Sequence, residues 1–375
     1  MSQTLPSPDP ASVRDDDIHV DAAGPADRAA QTELFNACFK KRVVHEQLVW
    51  RYDRSPHGGS LSFLARPPSG EGVSGYACSP RIALSFGAES HAAPIGQTGD
   101  VMTHPAWRKR GIFSGLDRAA MAASRAAGWP IVFGLPNRRS AHIFLTLGWQ
   151  AVGRIRPYTF LLAGGAPARR LRHGEGRLAG WMSGFAVRTC RGAERRLARA
   201  AGGSLAVAPL GRFPADVRDV ARPLERNFSL MVRRDADYLN WRFIDTPSKR
   251  QRALAAYGPG RALVGYAVIQ PPLEPGGVGH FVDLVAPEPA ARAALVLASL
   301  EELRRAGALA VQATAVDGSA WAAELLAAGF LRPRPENHLI VILHVHQPDH
   351  PLARAASDAS RWYLTDGDRD DETVG

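Results

Sequence analysis

Apolar positions recur along this chain at the two periods that distinguish helices from strands. Between 112 and 127, Phe113, Leu116, Ala120 and Met121 fall on one side at the 3.6-residue spacing of an amphipathic helix. Between 291 and 306 the same spacing returns through Leu295, Leu297, Leu300 and Leu303. A short strand pattern from Asp100 to Thr103 stops at Pro105, gives way to a basic turn and meets Gly111 at the mouth of the first helix. The apolar run Ile131-Val132-Phe133 reads as a further strand, followed by Asn137 and a short helix that ends at Gly148, a residue suited to a left-handed cap. No apolar run approaches the roughly eighteen residues of a membrane span.

The second half of the chain repeats the first. Leu48-Val49-Trp50-Arg51-Tyr52-Asp53-Arg54-Ser55-Pro56 returns as Leu239-Asn240-Trp241-Arg242-Phe243-Ile244-Asp245-Thr246-Pro247. Gly75-Tyr76-Ala77 returns as Gly265-Tyr266-Ala267, Asp100-Val101 as Asp283-Leu284, and Leu147-Gly148-Trp149 as Ala328-Gly329-Phe330. The offset drifts only from 191 at the tryptophan to 181 at the glycine, so four matches stay in order and imply duplication. One difference separates the copies. Arg108-Lys109-Arg110-Gly111 has no counterpart in the second, where Glu288-Pro289-Ala290-Ala291 follows Pro287.

A strand feeding a basic, glycine-bearing turn onto a helix N-terminus is suited to an anion, because first-turn N–H groups lack intrahelical partners and the helix dipole favours negative charge. The stretch from Asp100 to Phe113 resembles motif A of the GNAT superfamily of acetyl-CoA-dependent acyltransferases, in which such a turn holds the coenzyme pyrophosphate. Phe113 stands where a small residue is usual. The stretch from Ile131 to Trp149 resembles motif B of that superfamily at the expected distance downstream. The resemblance implies an α/β fold with an α+β mixed sheet, in two tandem GNAT-like domains of which the second is degenerate. It assigns acetyl-CoA as co-substrate to Met102, Thr103, Arg108, Lys109, Arg110, Gly111, Ile112, Phe113, Asn137, Ser140 and Phe144. Amides around Met102 and Thr103 would polarise the thioester carbonyl.

Many family members carry a tyrosine at the position of Phe144, whose hydroxyl protonates the leaving thiolate; phenylalanine cannot donate. Tyr158 is the substitute acid to consider, beside a reading of it as a buried strand tyrosine. Asp100 is the candidate base for the acceptor amine, with the caution that its counterpart Asp283 lies in the copy without the turn. The repeated Trp-Arg-aromatic either touches the acceptor or anchors a helix end, and its retention in both copies favours the anchor.

Charge and composition change the picture little. The chain carries 46 basic and 36 acidic residues, a net charge of +10. Segment 154–199 alone holds eleven arginines against Glu175 and Glu194, including Arg169-Arg170-Leu171-Arg172-His173. Such a stretch could meet an acidic polymer, but 42 of the 46 basic residues are arginine and no nucleic-acid motif accompanies it, so nucleic acid is not expected as partner. Cys38, Cys78 and Cys190 are too few and too scattered for a disulfide framework or zinc site, and no metal is expected. Residues 1–16 hold prolines and the start of an acidic run, and read as a disordered lead-in rather than a signal peptide, in keeping with a cytoplasmic chain. Asp366, Asp368 and Asp370 superficially suggest a calcium loop but lack its glycine and terminal glutamate.

These readings place a coenzyme-binding catalytic domain at 17–165, a basic segment at 166–203, a degenerate domain at 204–346 and a tail at 347–375. The expected activity is N-acetyl transfer to a primary amine of a small molecule. An amino sugar of a polysaccharide pathway is the first suggestion, from a resemblance of the tail to tandem-GNAT proteins associated with polysaccharide assembly. The alternatives are an aminoacyl-tRNA-dependent transferase of the tandem type and a non-catalytic acyl-CoA-binding regulator. Oligomeric state is not legible in the sequence.

Overall fold

A computed structural model describes residues 17–86, 90–162, 177–203, 205–332 and 338–369. The lead-in at 1–16 and the cluster Arg169-Arg170-Leu171-Arg172-His173 lie outside the described residues. The chain forms β1 (His19–Ala23), α1 (Arg28–Cys38), α2 (His45–Asp53), β2 (Leu61–Arg66), β3 (Ser74–Ser85), β4 (His91–Thr103), α3 (Ile112–Ala126), β5 (Ile131–Gly134), α4 (Arg138–Thr146) and β6 (Gln150–Leu161). It continues with α5 (Arg177–Ala201), β7 (Ala206–Leu210), α6 (Val217–Glu225), β8 (Leu230–Val232), α7 (Ala236–Leu239), β9 (Arg252–Tyr257), β10 (Leu263–Gln270) and β11 (Val278–Val285). Last come α8 (Pro289–Arg305), β12 (Ala310–Val316), α9 (Ala320–Ala327), β13 (Leu339–Val345), α10 (Pro351–Ala356) and β14 (Trp362–Tyr363). The fold is mixed α/β.

The chain divides into two compact units. The first comprises Met1–Ile82, Ala93–Gln150 and Ile342–Ala353, and the second Ala83–Ala92, Ala151–Val341 and Arg354–Gly375. The series β2-β3-β4-α3-β5-α4 recurs as β9-β10-β11-α8-β12-α9, element for element. In both series the third and fourth strands pair in parallel for three residues: Gly96–Thr98 with Val132–Gly134, and Val278–His280 with Ala310–Gln312.

The strand that follows each series is exchanged. After α4 the chain enters β6, which pairs antiparallel with β12 from Ile155 to Leu161 in the second unit. After α9 it enters β13, whose Ile342–Val345 stretch pairs antiparallel with β5 in the first unit. Consecutive segments at 17–165 and 204–346 therefore do not coincide with the compact units. Apolar periodicity marks each strand, and either copy's last strand offers the same antiparallel edge.

The first unit's core gathers Leu34, Phe35, Leu48, Tyr52, Leu64 and Met102 between α1, α2 and the sheet. The second gathers Phe160, Phe281, Leu295, Leu300, Trp321 and Phe330. Two positions leave the faces that periodicity assigns them. Leu297 is half-buried in a groove beside α5, while Val296 and Ser299 join Leu295, Leu300 and Leu303 inside. Phe113 turns from the packing face of α3, where Ile112, Leu116, Ala120 and Met121 are buried, toward a cavity.

Candidate active site

The first unit holds a cavity of about 790 Å³ where β4 runs on past the end of its pairing with β5. Val101, Met102 and Thr103 line it from β4, Arg108 to Ser114 from the basic turn and the start of α3, and Asn137 to Ser140 with Ile143 from α4. Cys38 and Phe39 line it from the end of α1. Met102, Thr103, Arg108, Lys109, Arg110, Gly111, Ile112, Phe113, Asn137 and Ser140 thus surround one space. Sequence reasoning had no signal for Cys38 or Phe39, which arrive by tertiary packing alone; Trp107, Arg138, Arg139 and Ile143 are sequence neighbours of the named residues.

Backbone conformation explains the basic turn. Gly111 is the N-cap of α3 at φ +72°, and Lys109 is left-handed too at φ +66°. A Cβ at Gly111 would meet no protein atom within 4 Å, so neighbouring side chains do not demand a glycine there. The left-handed turn does, and it leaves open space against the helix N-terminus. Arg108 Nε donates to the Thr103 carbonyl at 3.1 Å, tying the turn to β4. Arg110 stacks over the buried Trp107 ring, 4.9 Å from its centroid. Asn137 caps α4, its Oδ1 accepting from the amides of Arg139 (2.9 Å) and Ser140 (3.1 Å). Burial pushes the Cys38 thiol up to about 11, so it stays neutral on the cavity wall.

Phe144 does not line the cavity. It is buried, with edge-to-face rings at 5.1 Å to Phe113 and 5.0 Å to Trp149, and so backs the residue that does. Tyr158 belongs to the second unit, buried in its core opposite Ala313 on β12, and burial raises its phenol pKa. That is the buried strand tyrosine of the sequence reading. His104 caps the turn Pro105–Trp107, its Nδ1 3.4 Å from the Ala106 amide.

Asp100 lies within β4 at φ +47°. Its Oδ2 accepts from Tyr52 Oη at 2.7 Å and from Arg51 Nη1 in an ion pair. Burial, and then the Asp100 charge, hold the Tyr52 phenol well above its usual range, so it remains a donor. Trp50, Arg51 and Tyr52 are all buried on α2, as are Trp241, Arg242 and Phe243 in the second copy. The repeated motif is an internal anchor in both.

In the second copy, chain occupies the space where the strands part. Beyond the β11–β12 pairing, the Thr314 amide of β12 donates to Asp366 Oδ2 at 2.9 Å, and Thr365 Oγ1 donates to Asp283 Oδ1 of β11 at 3.0 Å. The C-terminal turn Asp366–Asp368 thereby bridges both strands. Arg234 Nη2 donates to Asp368 Oδ2 at 2.7 Å, and Arg242 Nε donates to the Gly367 carbonyl at 2.9 Å.

Residues 19–152 match the family described as the acetyltransferase (GNAT) domain. The chain carries a GNAT acetyltransferase domain. Solved structures agree in fold. A conserved protein from Enterococcus faecalis V583 aligns at TM-score 0.60 and 12% identity, over 88% of this chain and 73% of that one. A GCN5-related N-acetyltransferase from Kribbella flavida aligns at 0.57 and 17%, over 88% and 71%. A tandem GNAT protein from the clavulanic acid biosynthesis pathway aligns at 0.52 and 14%, over 88% and 98%, so the GNAT fold extends to a two-unit arrangement. No curated protein matches the chain. Among the described residues, no helix is long and apolar enough to cross a membrane.

Proposed function

We propose that this GNAT enzyme moves acetyl from acetyl-CoA to a primary amine of a small molecule, with one coenzyme site per chain, in the first unit. The observation that carries this reading is the left-handed turn Lys109–Gly111 at the N-terminus of α3, open above Gly111 and flanked by Arg108, Lys109 and Arg110. It suits a pyrophosphate by geometry and charge together.

Acetyl-CoA supplies an acyl group already activated as a thioester. The remaining work falls to the chain. Arg108 and the turn amides bind the phosphates, while Val101 to Thr103 lie along the cavity where backbone amides can face the thioester carbonyl. The acceptor ammonium must lose a proton, directly or through water, before it can attack. Phe144 offers no proton to the departing sulfur, and with a thiol pKa of about 8.5 the thiolate can leave without one. The second unit lacks the basic turn, and its own tail lies between its strands, which supports a scaffolding role. Because the tail is structural, it gives an amino sugar no particular support as acceptor, and the amine screen should be broad.

Calorimetry with acetyl-CoA tests the reading. We expect one site per chain, and loss of at least about a hundredfold in affinity in Gly111→Glu, whose carboxylate would enter the phosphate space as a like charge. Two equivalent sites, or unchanged affinity in the variant, would contradict it. Thiol release across an amine panel then identifies the acceptor.

A further inference from the structure

Among the described residues, Asp100 is the one non-glycine left-handed residue inside a β-strand. Such a conformation is disfavoured for a residue with a Cβ, and persists where the surroundings over-determine it. Here the surroundings are Arg51 and Tyr52, both from α2 and both on Asp100 Oδ2. The ion pair is mostly buried, with side-chain exposures of 4% and 9%. Val101, Met102 and Thr103 follow at once and line the cavity, whereas Asp100 does not.

We propose that Asp100 is a positioning residue and not the base: its clamp by Arg51 and Tyr52 holds the kink in β4 and so aims the amides of Val101–Thr103 at the thioester carbonyl. The inference rests on the coenzyme reading above. The second copy supports it. Asp283 stands at the matching place in β11, is fully buried, and is held by Tyr266 Oη at 3.1 Å and Thr365 Oγ1 at 3.0 Å with Arg234 beside it. That copy has no basic turn, the tail turn bridges its strands where they part, and Asp283 is not left-handed, yet the carboxylate remains and ties β11 to Tyr266 of β10 and to Thr365 of the tail. A proton acceptor would have no work there, whereas a strand clamp would.

Isotope-edited infrared spectroscopy of bound acetyl-CoA, labelled at the thioester carbonyl, reads the aim of the amides without needing the acceptor. The wild type should shift the carbonyl stretch to lower frequency than in water. Asp100→Ala should lose most of that shift while its calorimetric Kd stays within about threefold, since the phosphates bind elsewhere. Asp100→Asn should keep most of it, because asparagine tolerates the left-handed region and still accepts from both partners. Tyr52→Phe should lose part, and it carries the test if Asp100→Ala does not fold. An unmoved carbonyl frequency in Asp100→Ala or Tyr52→Phe would overturn the proposal. So would loss, in Asp100→Asn, of the acidic limb of acetyl-CoA hydrolysis followed by thiol release, since that marks a base. Failure of the wild type to bind acetyl-CoA would instead sink the coenzyme reading, and this inference with it.

Discussion

Single residues behave here according to what surrounds them more than to what they are. His346, which no motif marks, shows this through titration. Its Nε2 lies 2.8 Å from Ser124 Oγ, its ring centroid lies 4.7 Å from that of His344, and burial lowers its pKa to about 4, with the charges of His344 and Arg125 adding to the effect. The unfolded ring titrates near its ordinary value of 6.5, so the folded state favours the neutral form. The stabilisation is therefore complete above about pH 6.5 and drains away as pH falls toward 4. Thermal midpoints across that window should fall more steeply for the wild type than for His346→Gln, which keeps an acceptor but does not titrate. Parallel curves would show that His346 contributes nothing to the acid sensitivity. Phe144 makes the same point by packing. Its place in the motif is legible, but the ring sits behind Phe113 and not against the cavity.

Among the elements, the turn Asp366–Asp368 departs furthest from its sequence impression. Its spaced aspartates suggest a cation loop, yet Asp366 accepts from the Thr314 amide and Asp368 from Arg234 and from the Thr365 amide, the last at 2.9 Å. Donors of the second unit take up Oδ2 of both carboxylates, and the Arg369 guanidinium lies 3.8 Å from Asp366 Oδ1. Asp368→Ala should destabilise the protein by about 3–5 kcal/mol, because it leaves Arg234 buried without a main counter-charge. Chemical denaturation measures this, and a change below about 1 kcal/mol would mean that Arg234 finds other compensation. Acetyl-CoA stoichiometry should remain one per chain in the same variant. A second site appearing there would mean that the tail, and not the missing basic turn, is what closes the second copy.

At the scale of the whole molecule, the exchanged strands make each unit depend on both halves of the sequence. A fragment ending at Trp149 retains the turn and α3 but lacks both β6 and Ile342–Val345, leaving the edge of β5 without an antiparallel partner. An unpaired, apolar strand edge invites aggregation. Such a fragment should be largely insoluble, or bind acetyl-CoA at least about tenfold more weakly than the full chain. Soluble expression with a cooperative unfolding transition and full affinity would show that β13 is dispensable to the first unit.

The sequence by itself determined what rests on local rules. Helical periodicity located α3 and α8, the Pro–basic–Gly order located the turn, and internal repetition revealed two series of like elements. Each of these is written within a dozen or so consecutive residues, or in their recurrence. Only the tertiary structure decided the rest. It showed that Asp100 meets Arg51 and Tyr52 across some fifty residues, that Phe113 faces the cavity with Phe144 behind it, and that the tail lies between β11 and β12. It also decided which last strand completes which sheet. The physical reason is common to all of these. Periodicity says that a face will be buried or an edge paired, but the partner is chosen by long-range packing, and two copies of one design present equivalent partners to the same edge.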